Sequence, residues 1–217
     1  MSHPVVFIFS LSILIASVIG WVRFKKIDPA YYPFLYCLWI GTLNEIVSYI
    51  LVANHQTTAL NNNIYVLFEP ILLVWLFKNW GSFRRAPQMF TALLILFPIL
   101  WIVENFFIST ITHFTFYYRI FYSFIIVLLS IQIINRLIMT ERKNILKNST
   151  FLLCVGFVIY YTFSVLVQTF WLYGLNVSRE FTLKVVFILL TINLFSNLIY
   201  ALAVLWMPTR HRFSLPY

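Results

Sequence analysis

Seven apolar runs of about twenty residues divide this chain, at about 4–22, 32–52, 63–80, 87–108, 115–136, 149–173 and 182–206. Short clusters of charged and turn-forming residues separate them. A hydrocarbon layer ~30 Å thick needs about 20 residues of helix per crossing, and a helix satisfies its own backbone hydrogen bonds inside lipid. The pattern therefore predicts an all-α polytopic membrane protein, a bundle of seven transmembrane helices forming one domain over 1–217. Composition points the same way: 62% of the residues are hydrophobic and 10% charged, with a mean hydropathy of +0.89. A soluble globular domain does not have that balance.

The 15 Lys and Arg residues are unevenly placed. Arg23, Lys25 and Lys26 follow the first run, and Lys78, Arg84 and Arg85 follow the third. Arg136, Arg142, Lys143 and Lys147 follow the fifth, and Arg210 and Arg212 the seventh. Only Arg119, Arg179 and Lys184 fall on the other side, where the stretches NHQTTALNNN and STITHFT carry no Lys or Arg. Cytoplasmic loops collect Lys and Arg, so the expected orientation has the N-terminus outside and the C-terminus cytoplasmic. The first run has no basic segment before it and no small-residue cleavage site, and it is expected to stay as a span. The net charge of +9 then follows from topology. A nucleic-acid reader would gather its cations on one face of a soluble module, so no nucleic-acid role is expected and the lipid bilayer is the anionic partner.

Against this apolar background the polar residues inside the runs stand out. Glu69, followed by Pro70, lies in the third run and Glu45 in the second, each ~9–10 Å from the outer end at 1.5 Å per residue. A charge in mid-span costs about 2.5–3.5 kcal/mol on insertion scales, so each is expected to face the bundle interior or a water-filled cavity. Helical spacing supports this reading. Gly41, Asn44, Glu45 and Ser48 share one stripe, and Asn62, Tyr65 and Glu69 another. Tyr161, Ser164, Gln168 and Trp171 mark the sixth run, and Asn193, Ser196, Asn197 and Tyr200 the seventh. Together they suggest an outward-facing, aromatic-walled polar cavity with Glu45, Glu69, Asn44, Tyr65, Asn62, Gln168, Trp171, Asn193 and Asn197 as binding residues. Pro70 would free a backbone carbonyl one turn earlier as a further acceptor. The competing reading makes Glu69 a neutral carboxyl that hydrogen-bonds Tyr65 or Asn44 and holds helices together. Glu104 and Arg119, both near the outer rim, are expected to form a structural ion pair, and Lys184 to snorkel toward the interface.

Other chemistry is missing from the sequence. His3, His55 and His113 fall on the outer side and His211 on the inner tail, none within a run, and no metal site is expected. Cys37 and Cys154 lie inside runs and read as small buried hydrophobes. No phosphate loop, zinc-type spacing or nucleophile elbow occurs, and no cofactor is expected. The stretches NEIVSYI, NNNIYVLFEPILLVWLF and NLFSNLIYALAVLW together resemble a group of small seven-helix bacterial inner-membrane proteins. That resemblance implies a location in the bacterial cytoplasmic membrane and supplies no activity. Three functions fit the residues. The first is transport of a small solute, cation or proton through the carboxylate cavity. The second is a sensor or scaffold subunit that binds a ligand or lipid and signals through a membrane partner protein. The third is an intramembrane lipid-modifying enzyme using Glu45 and Glu69 as an acid/base pair.

Overall fold

A computed structural model describes residues 9, 11–140, 145–173 and 179–209. His3, Arg142, Lys143, Arg210, His211 and Arg212 lie outside the described residues, as do the side chains of Arg179 and Glu180 and most of the first half of the first run. Every regular element among the described residues is helical, apart from one isolated antiparallel bridge between Ile27 and Thr209. The helices are α1 (Ile13–Arg23), α2 (Tyr32–Ala53), α3 (Ala59–Asn79), α4 (Pro87–Val103), α5 (Tyr117–Thr140), α6 (Ser149–Leu172) and α7 (Arg179–Trp206). Six of them, α2 to α7, are long and apolar enough to cross a membrane, and α1 is shorter. Large apolar side chains such as Trp21, Val22, Leu43, Ile95, Phe107 and Phe124 are exposed on the bundle. Exposing so many to water would be unfavourable, and this is the surface of a multi-pass membrane protein.

Local sequence sets the helix ends. A 3-10 turn, Pro29–Tyr31, is capped by the Asp28 carboxylate, which accepts from the Ala30 N–H at 2.8 Å, and leads into α2. Pro87 opens α4, where its missing N–H is not needed. Asn148 caps α6 by accepting from the Phe151 N–H at 3.1 Å. α3 starts at Ala59, four residues ahead of the apolar run, because Asn61, Asn62 and Asn63 are helical and bond to neighbouring segments. Glu69 is thereby the eleventh of 21 residues, ~15 Å from either end rather than near one of them.

The packing order is a ring. α1 packs on α2, α2 on α3, α3 on α5, α5 on α6, α6 on α7, and α7 returns to α1, while α4 lies against α3 and α5. Small residues allow α1 its close approach: a methyl group added to Gly20 would meet Leu35 at 2.9 Å and Val204 at 3.8 Å. Ser17 and Thr42 share a 2.6 Å hydroxyl contact between α1 and α2. Arg23 at the end of α1 donates to the carbonyls of Val204, Leu205 and Met207 at the end of α7. Tyr31 bonds Ser149 and Thr150 at the start of α6, and Arg136 near the end of α5 donates to the carbonyls of Trp80 and Gly81 after α3. These contacts gather the basic connections at one end of the bundle. Just inside that end, Phe34, Phe77, Phe157 and Tyr200 from four helices interlock with ring centroids 5.4–6.1 Å apart. All four are buried and form an aromatic plug.

Candidate functional site

Above the plug lies a cavity of about 90 Å3, room for several water molecules. Its wall comes from α1, α2, α3, α6 and α7 and includes Glu45, Glu69, Asn44, Asn193 and Asn197 with Tyr65, Tyr160 and Tyr161. Two carboxylates and three amides therefore line one space, and among the described residues no cationic side chain does.

Glu69 is its most elaborated member. It is 6% exposed, and three phenols from three helices donate to it. Tyr65 of α3 and Tyr161 of α6 donate to Oε1 at 2.8 and 2.9 Å, and Tyr122 of α5 donates to Oε2 at 2.6 Å. Tyr65 precedes Glu69 by one helical turn and shares its face. Hydrogen bonds to a charged acceptor contribute about 1.5–3 kcal/mol each. Three of them are enough to offset the ~2.5–3.5 kcal/mol of placing a carboxylate in mid-span. A carboxylate has about four acceptor positions, so Glu69 keeps capacity for one further donor or cation. Pro70 continues α3 without breaking it, removing the bond that the Val66 carbonyl would otherwise receive.

The other expected residues divide into three groups. Asn44 is buried, lines the cavity, and is held by Asn61, whose amide donates to its carbonyl and side-chain oxygens at 3.0 and 2.9 Å. Asn197 donates to Ser12 at 2.8 Å and to Asn193 at 3.3 Å, so the pair is tied to the start of α1. Glu45 is half-buried and lines the cavity nearer the end of α2. Asn62 stands behind the wall, accepting from Asn44 at 3.4 Å. Gln168 and Trp171 lie outside the wall, and Trp171 is 40% exposed, because their stripe rotates away from the cavity over the last turns of α6. The expected Glu104–Arg119 ion pair is replaced by another arrangement. Glu104 accepts from the backbone N–H groups of Phe116, Tyr117 and Tyr118 at 2.7, 3.0 and 2.5 Å, capping α5 at its positive end. Arg119 turns inward one turn before Tyr122, and its Nε and Nη2 have no hydrogen-bond partner among the described residues.

Sequence reasoning did not single out Tyr122 or Tyr160. Tyr122 had one usable signal: with Tyr118 it forms an i, i+4 phenol pair on the buried face of α5. Asn63 was also missed. Fully buried, it donates to Asn105, Ile111 and His113 and accepts from Thr115, locking the α4–α5 connection onto α3. Both cysteines are free and buried, Cys37 in the cavity wall. Among the described residues no group of His, Cys, Asp and Glu is placed to hold a metal ion. No protein-family profile, curated protein or solved structure matches this chain.

Proposed function

We propose that this protein sits in a bacterial cytoplasmic membrane with seven spans, its N-terminus outside, and transports a small cation or protonated amine through the Glu45–Glu69 cavity. The observation that carries the proposal is the wall itself, in which two carboxylates on adjacent helices meet amides and phenols around one small space. Such a wall attracts a positive guest and offers it both charge and aromatic faces. Glu69, fixed by three phenols, is the preorganised anion, and Glu45, half-exposed, is the first group a guest meets. The one-sided placement of the basic connections supports the orientation.

Thermal unfolding in detergent with sodium, potassium or methylammonium added, followed by uptake into proteoliposomes, tests this. The wild type is expected to gain several degrees from one of these cations, and Glu45→Gln and Glu69→Gln to lose that gain together with uptake. Uptake unchanged in Glu69→Gln overturns the transport reading. A second reading, a binding module reporting to a membrane partner, draws on the contact between α6 and α7. A methyl group on Gly156 would sit 2.5 Å from Tyr200 Cε1, so the floor of the cavity is tightly seated. Cation-dependent stabilisation without any uptake selects that reading.

A further inference from the structure

A second concave site lies at the basic end, outside the ring and away from the cavity. It is a groove of about 430 Å3 between the end of α3 and the start of α4, lined by Lys78, Phe83, Arg84, Pro87, Phe90 and Thr91. The turn that makes it is specified locally. Gly81 has φ +78°, a conformation that disfavours other residues, and its missing side chain leaves the space where Arg84 folds back. A Cβ there would stand 2.7 Å from Arg84 Nε. Arg136 holds the same turn from α5 through the Trp80 and Gly81 carbonyls. Lys78 is pinned from the other side, its Nζ 4.2 Å from the centre of the Phe90 ring.

Two exposed cations are thus held beside an apolar wall, and the described carboxylates are engaged elsewhere. Asp28 caps Ala30, Glu104 caps α5, Glu69 is held by phenols, and Glu45 lines the cavity. Lys78 is the last residue but one of a membrane-crossing helix, so the groove lies at the level where apolar and polar layers meet. We propose that it binds the headgroup of an anionic phospholipid, with Lys78 and Arg84 on the phosphate and Phe83, Pro87 and Phe90 against the first methylenes of an acyl chain. Basic pockets between spanning helices have the chemistry for this: charge selects the headgroup and the apolar wall retains the chain.

Retention of phosphatidylglycerol by the purified full chain, against phosphatidylcholine at fixed ionic strength and read by native mass spectrometry, provides the test. The variants are Lys78→Gln, Arg84→Gln and their combination, with Lys147→Gln, an exposed cation elsewhere at that end, as control. Each single substitution is expected to weaken phosphatidylglycerol retention roughly fivefold, the double variant more, and Lys147→Gln little. All three positions are exposed, and unfolding without lipid serves to show that the variants fold. If Lys147→Gln weakens retention as much as the others, attraction is diffuse and the site is refuted. Protection by millimolar inorganic phosphate equal to that by the lipid would make this a free-phosphate site and overturn the lipid assignment. Equal retention of both lipids would overturn it as well.

Discussion

Two glutamates among the described residues are buried, and each receives three hydrogen bonds, yet their surroundings differ in kind. Glu104 sits at the α4–α5 joint and is held by three backbone N–H groups. Glu69 sits at the middle of α3 and is held by three phenols. A backbone N–H can only donate, and its position is fixed by the helix it starts. A phenol can rotate its hydrogen and accept instead. The first cradle tolerates only an anion, whereas the second can adapt to a change in charge. That difference separates a carboxylate fixed by backbone from one whose partners can reorient, as the proposed cation site requires.

Replacing each glutamate by glutamine gives the sharpest contrast. Glu104→Gln places an amide NH2 against at least one backbone N–H, leaving a donor unsatisfied, and is expected to destabilise the protein by about 2–3 kcal/mol. Reversible unfolding in detergent would measure it, and a loss under ~0.5 kcal/mol would mean that water or a movement of the α5 start relieves the clash. Next in size, Tyr122→Phe removes one of three charge-assisted bonds from Glu69 and is expected to lose about 1.5 kcal/mol. An effect as large as that of Glu104→Gln would show that the phenol cage is as rigid as the backbone cradle. Smallest, Glu69→Gln is expected to change stability by less than ~1 kcal/mol, since Tyr122 can turn its hydroxyl to accept from the amide. Should Glu69→Gln prove the more damaging of the two glutamine variants, the contrast drawn between the sites collapses.

Hydropathy alone located the long helices, because lipid imposes length and apolarity on every crossing. Their ends were less legible. α3 begins at Ala59, through asparagines that hydropathy assigns to a loop, and α5 runs on past Arg136 through Leu137, Ile138 and Met139 to Thr140. In α3 those residues are the three consecutive asparagines, whose 100° steps aim Asn61 and Asn62 at α2 and Asn63 at the α4–α5 connection. Glu45, Glu69, Asn44, Tyr65, Asn193 and Asn197 could be assigned to one expected cavity from spacing and depth, without showing whether the two carboxylates adjoin. Tyr122 could not, since only the packing order shows that α5 reaches α3 with α4 displaced outward. Depth arguments also paired Glu104 with Arg119 by level. They carry no information about the backbone N–H groups that a helix start presents to a nearby acid.

The bond from Arg23 to the last carbonyls of α7 spans 181 residues of chain. Both the wall and the floor of the cavity therefore wait on α7, the last of the described helices in chain order. Until α7 enters the bilayer, α1 has no partner on one side, and Tyr200 is absent from beneath Glu69. Nascent chains that stop short of α7 would present a ring with a gap, its amides and carboxylates open to lipid. Completion of α7 is the step that closes the ring.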